Sequence, residues 1–126
     1  MRIEAYFQQL RQTIDACAVI RSFNVTYDKR GTHEGFIRGE IYFIDGSTLH
    51  IREFVDVEIT FERLTYSYHY VDSSNKLVFR YDNTGHHKKI GLPTYPHHKH
   101  VSSSNQIIAS SAPVFATILR EIEALL

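Results

Sequence analysis

Apolar residues recur at two different periods along this chain. Ile3, Tyr6, Phe7, Leu10 and Ile14 fall at helical spacing, with Glu4, Gln8, Arg11 and Gln12 between them. That pattern predicts an amphipathic helix of about four turns with one buried stripe. From Val19 the period drops to two. Val19 to Tyr27 reads as a strand with Phe23, Val25 and Tyr27 on one side, and Lys29 to Gly35 as a turn. Phe36 to Ile44 reads as a second strand, with Ile37, Ile41 and Phe43 opposed to Arg38, Glu40 and Tyr42. Asp45-Gly46 between two such runs is a strong hairpin signal. The third strand is expected from Thr48 to Val57, with Leu49, Ile51 and Val55 on one face and His50 and Arg52 on the other. Glu53 falls on the apolar face by strict alternation. Either a bulge turns it out, or it is buried beside a partner such as an arginine. The fourth strand is expected from Phe61 to Val71, with Leu64, Tyr66, Tyr68 and Tyr70 opposed to Ser67 and His69. A fifth carries Leu77, Phe79 and Tyr81 on one side and Arg80 and Asp82 on the reverse.

The stretch from Tyr81 to His100 breaks both periods. It holds His86, His87, His97, His98 and His100, five of the eight histidines, with Lys88, Lys89, Lys99, two prolines and two glycines. A run this polar is expected to be a functional loop rather than a core element. Ile107 and Ile108 form a brief apolar pair, and Ser110, Ser111 and Pro113 signal a helix start. Val114, Phe115, Ile118, Leu119, Ile122, Leu125 and Leu126 then make a second helical stripe. The order α-β-β-β-β-β-α predicts one α+β domain over residues 1–126. Its sheet is expected to be a five-stranded, mainly antiparallel meander, with the N-terminal and C-terminal helices packed on one face.

Composition narrows the functional classes. A chain of 126 residues suits one domain with one core. Its formal net charge is zero, so attraction to nucleic acid has to come from a local patch. The single cysteine, Cys17, forms no intramolecular bridge; it reads as a small buried apolar residue, and the cytoplasm is the simplest compartment. The opening residues MRIEAYFQQLRQ do not read as a signal peptide, and no apolar run reaches transmembrane length, so no membrane partner is expected.

Strand parity then gathers candidate chemistry. If Leu49, Tyr66 and Phe79 face the helices, His50, Arg52, His69, Arg80 and Asp82 face the other way. Cleavage of an RNA phosphodiester needs a base for the 2′-hydroxyl, an acid for the leaving oxygen and cations for the developing charge. Histidine suits the first two roles and arginine the third. His69 with His97 or His98 can serve as acid and base, Arg52 and Arg80 as phosphate clamps, and Asp82 as the carboxylate that orients a histidine. Tyr95 offers a ring on which an unpaired base stacks. This chemistry requires no metal or other cofactor. One histidine from each His-His pair together with Asp82 would make a metal site, but HExxH and CxxC are absent and no native metal is expected. The same positive loop, aromatic rings and open sheet face also suit a module that holds single-stranded nucleic acid without cutting it, so the alternative reading is a non-catalytic nucleic-acid- or protein-binding module. Gly-rich phosphate loops and a GxSxG elbow are absent. The first strand, Val19 to Tyr27, is expected to leave an edge free for a partner segment or a second copy, giving a homodimer.

The runs EGFIRGEIYFIDGSTLHIREFVD, LTYSYHYVD, LVFRYDNTGHH and YPHHKH resemble the TumE-type toxin family of type II toxin–antitoxin systems, across nearly the whole chain. The resemblance implies a toxin inhibited by an antitoxin that carries a helix-turn-helix domain. By fold-level analogy it implies an RNA substrate as well. The motif positions it singles out are Arg52, Glu53, Tyr68, His69, Arg80, Asp82, Asn83, His86, His87, His97, His98 and His100, beside which the loop cation Lys99 lies. Two additional residues around Lys88 to Gly91 depart from the family's spacing and alter the separation of the histidine pairs.

Overall fold

The N-terminal stripe forms the helix its spacing predicts. α1 (Ile3–Asp15) buries Ile3, Tyr6, Phe7, Leu10 and Ile14. The computed structural model describes residues 1–85, 91–101 and 106–126. In it, α1 seats directly over Gly35, where a Cβ would lie 2.6 Å from Ile3 Cγ1 and 2.6 Å from Phe7 Cζ. Only a residue without a side chain lets helix and strand approach this closely.

The strands follow as β1 (Ile20–Lys29), β2 (Glu34–Phe43), β3 (Thr48–Asp56), β4 (Glu62–Val71), β5 (Leu77–Asp82), β6 (His98–Val101) and β7 (Gln106–Ala109), before α2 (Phe115–Leu125). They make one antiparallel sheet in chain order, β1 to β7. The β2–β3 hairpin turns through Asp45-Gly46. Gly46 has φ +86°, and the Asp45 carboxylate accepts the Ser47 backbone N–H at 3.0 Å. The two helices flank the sheet in chain order. Their buried stripes join Ile37, Ile41, Leu49, Ile51, Val55, Tyr68 and Phe79 in one apolar cluster. No helix among the described residues is long and apolar enough to cross a membrane.

The sheet has seven strands, not the five expected. Both additional strands come from the region assigned to the loop and its sequel, and the contacts that bind the first of them, β6, to β5 are polar rather than hydrophobic. Antiparallel pairing sets His98 opposite Asp82 and His100 opposite Arg80. Lys99 points to the other side, where its ammonium lies 4.9 Å from the Tyr81 ring and 3.4 Å from Glu121 Oε1. The strand alternates as any strand does; toward β5 its partners are charges and rings, while on the other side Lys99 and His100 pair with Ile108 and Ile107 of β7.

Glu53 is fully buried and no bulge turns it out. Its direct partners are tyrosines rather than an arginine: Tyr6 Oη donates to Oε1 at 2.5 Å, and Tyr68 Oη donates to Oε2. Arg63 stands one bond behind, donating to Tyr68 Oη at 3.1 Å and to the carbonyls of Ala112 and Pro113 at 2.7 and 2.9 Å. Burial pushes the Glu53 carboxyl upward, against the pull of the two tyrosine bonds. This network ties α1, β3 and β4 to the segment that leads into α2.

Among the described residues β1 pairs with β2 alone, and it is mostly exposed, with Phe23 at 50 %. The expected free edge is therefore present. Cys17 is buried, and its thiol donates to Glu123 of α2 at 3.1 Å.

Candidate functional site

Strand register collects the polar chemistry into two adjacent rows on the sheet face opposite the apolar cluster. One row runs Thr26, Arg38, Arg52, Ser67, Asp82 and His98 from β1 to β6. The next runs Asn24, Glu40, His50, His69, Arg80 and His100 across the same strands. Side chains two apart in a strand share a face, so each strand contributes one residue to each row. The parts of the rows from β1 to β4, with Arg80 of β5, line an open trough of about 830 Å³ whose walls include Arg38, Glu40, His50, Arg52 and His69.

Arg80 is the hinge of the electrostatics. Its Nε donates to Asp82 Oδ2 at 2.8 Å, and its Nη1 lies 3.3 Å from His69 Nδ1. Arginine offers only donors, so His69 Nδ1 accepts, and in the neutral ring the proton sits on Nε2. Burial lowers the His69 pKa, and the positive charge of Arg80 and the neighbouring His50 lower it further. The His50 and His69 rings meet edge-on with centroids 5.8 Å apart. Asp82 is 1 % exposed and also accepts from Thr84 N and Thr84 Oγ1 at 3.1 and 3.0 Å. Burial alone raises its carboxyl, but the bonds from Arg80 and Thr84 and the neighbouring His98 hold it below the usual carboxylate range. Arg38 and Arg52 have no carboxylate partner among the described residues; the Arg52 guanidinium lies 5.5 Å from the centre of the Phe36 ring. The trough thus presents an excess of guanidinium charge on a molecule with none overall.

The other candidates lie elsewhere. His97 turns away from the trough: it shares a hydrogen bond with Tyr66 Oη at 2.8 Å and stacks on that ring at 5.7 Å. Burial, then Arg63 and His98, lower its pKa, while burial pushes Tyr66 up to about 12. Glu53 and Tyr68 belong to the buried network under the helices. Asn83 clamps the β4 backbone, accepting from Tyr66 N at 2.9 Å and donating to Leu64 O at 3.1 Å. Lys99 faces Tyr81 and Glu121 on the helix side. Tyr95 is 41 % exposed, and its hydroxyl donates to Gly85 O at 3.4 Å. His86 and His87 lie outside the described residues.

His98 and His100 instead join Asp82 at the end of the two rows. His98 Nε2 lies 2.8 Å from Asp82 Oδ1, and His100 Nε2 lies 3.5 Å from Oδ2. These three residues offer metal-ligand atoms that all lie within 4.8 Å of one another.

Arg38, Glu40, Asn24, Thr26 and Ser67 line the trough and were not singled out by the sequence. The available signal was parity: Arg38 and Glu40 alternate with Ile37 and Ile41, which sets them on the side of His50 and Arg52 once β2 and β3 pair.

A family model described as Toxin TumE matches residues 10–126. Neither the curated proteins nor the solved structures contain a match to this chain.

Proposed function

The chain belongs to the TumE toxin family, and on that premise we propose that it is the toxin of a type II pair and cuts RNA with histidine and arginine side chains. The observation that carries this reading is the trough: two imidazoles in edge contact, backed by Arg80 and flanked by Arg38 and Arg52, which have no carboxylate partner among the described residues.

The roles follow from the protonation that the geometry imposes. His69 has its Nδ1 lone pair committed to Arg80, so it serves as a donor through Nε2–H to a phosphate oxygen. His50 is exposed beside it and takes the 2′-hydroxyl proton. The proton taken up there is the one returned to the leaving 5′-oxygen, so the transfer balances. Arg38, Arg52 and Arg80 hold the phosphate as charge develops, each presenting a planar fork of donors. Asp82 acts one step back by fixing Arg80.

A toxin family implies an antitoxin partner. We assign to it a helix-turn-helix domain and a segment that adds a strand to the uncovered β1 edge; a second copy of this chain is the competing occupant of that edge. We assign the protein to the cytoplasm, where a cellular RNA target is met.

The test is induction in growing cells followed by inspection of total RNA. Wild type is expected to arrest growth and leave discrete cuts. His50→Ala and His69→Ala, shown to be folded by circular dichroism, are expected to do neither. RNA retained but uncut by purified wild-type protein would replace cleavage with binding alone.

A further inference from the structure

Beyond the trough, we propose that Asp82, His98 and His100 form a site for a divalent transition-metal ion of the zinc type. Register builds the cluster without any special loop. His98 and His100 are two apart on β6, so both project to the face where β5 presents Asp82. Their ligand atoms lie within 4.8 Å of one another, a spread that one ion spans with only small side-chain shifts.

The groups behind the ligands orient them. His98 Nδ1 lies 2.8 Å from the Pro96 carbonyl oxygen, which can only accept, so Nδ1 carries a proton. In the neutral ring, Nε2 is then the nitrogen with the lone pair, and it faces Asp82 Oδ1 at 2.8 Å. Arg80 already balances the Asp82 charge from Oδ2, so what separates the two facing acceptors, Nε2 and Oδ1, is either a proton or a metal ion. A backbone carbonyl behind a histidine is the arrangement that fixes the ligating nitrogen in metal sites. Arg80 on Asp82 Oδ2 serves the carboxylate in the same way.

Burial grades from Asp82 at 1 % and His98 at 2 % to His100, which is only partly covered. The cluster is closed on its inner side and accessible at His100. Two imidazoles and one carboxylate favour zinc, cobalt or nickel over magnesium or calcium, which prefer all-oxygen sets. Three protein ligands leave one tetrahedral position for water. The ion would pin β6 to β5 and neutralise Asp82 beside Arg80.

Metal uptake is read without RNA, so its failure and the failure of the cleavage reading are separable. The full chain, purified without a histidine tag, is titrated with zinc against a chromophoric chelator and with cobalt(II) by visible absorption. The expected result is about one ion per chain with a tetrahedral cobalt spectrum. His100→Ala is expected to lose more than about 100-fold in affinity, beyond the usual effect of removing a group that only hydrogen-bonds to a ligand. His33→Ala, far from the cluster, is expected to bind as wild type does. Because His98 is buried and its variants are the ones at risk of misfolding, His100→Ala carries the decision. No uptake by wild type, or unchanged affinity in folded His100→Ala, overturns the site and leaves a proton between His98 and Asp82.

Discussion

Arg80 reaches across from β5 to place its guanidinium 3.3 Å from His69 Nδ1 on β4, while its Nε holds Asp82 two residues along its own strand. One side chain therefore fixes the tautomer of an imidazole and neutralises a buried carboxylate. Cutting that link is expected to cost more than the loss of one charge. Arg80→Lys keeps the charge but cannot serve both partners with a planar fork. RNA cleavage by purified Arg80→Lys is expected to fall by about 10²-fold or more, the scale of a single electrostatic donor. Retention of near wild-type rates would show that positive charge alone suffices.

Stability should depend on pH through His69. Its pKa in the fold lies below 6.5, chiefly from burial and then from Arg80. As pH falls, the unfolded chain takes up this proton before the folded chain does. The contribution is complete above about pH 6.5 and is lost progressively below it. Urea midpoints compared at about pH 7.5 and about pH 5.5 are expected to differ less in His69→Gln than in wild type. An equal difference in both proteins would refute the assignment.

Arg38 and Arg52 are expected to act on affinity rather than on fold, since both are exposed and neither has a carboxylate partner among the described residues. Each alanine substitution should weaken binding of a single-stranded RNA and reduce the slope of log affinity against log salt by about 0.7. Thermal unfolding of both variants should stay close to wild type. Fluorescence anisotropy over a salt series reads the slope directly.

The Glu53 network makes a separate prediction about the core. Tyr68→Phe removes one of the two hydroxyls that satisfy this buried carboxylate and also strands an Arg63 donor. The expected cost is about 1–3 kcal/mol, read from urea denaturation. Glu53 titrates in the opposite sense to His69. Burial raises its pKa, so the folded state is favoured below the unfolded value and loses that advantage as pH rises through the folded one. Glu53→Gln should remove this part of the pH dependence.

Gly39 marks a close approach of β1 to β2. A Cβ there would fall 2.1 Å from the Asn24 carbonyl oxygen and 2.6 Å from Val25 Cα, both backbone atoms that cannot swing aside. Gly39→Ala is expected to destabilise by at least about 1–3 kcal/mol. Gly31→Ala, where a Cβ meets nothing within 4 Å, should be close to neutral. Denaturant midpoints of the two variants measured side by side test the contrast.

The helices and strands β2 to β5 were legible because each buries an apolar face, and burial imprints its period on the residues; β1, mostly exposed, was legible from its alternation alone. Ile3 to Ile14 and the alternation of Leu49, Ile51 and Val55 carry that imprint plainly. β6 carries none. His98, Lys99 and His100 are polar on both faces, and what makes them a strand is the company of Asp82, Arg80, Tyr81 and Glu121, from other parts of the chain. The same limit governs the candidate site. His97 and His98 are neighbours and chemically identical, yet one stacks on Tyr66 and the other meets Asp82, because adjacent residues leave the backbone on opposite sides.

Periodicity along the chain was thus sufficient for the class of fold, for the apolar face of each long element and for the side on which His50, Arg52, His69 and Arg80 emerge. These are local properties, written by one residue's burial relative to the next. Which of those side chains meet was set by strand register, which aligns Glu40, His50, His69, Arg80 and His100 across five strands and leaves Glu53, Tyr68 and Lys99 behind the sheet. Register is a relation between segments distant in sequence, and a shift of one residue exchanges the two faces. No single segment contains that information; it exists only once the strands are paired.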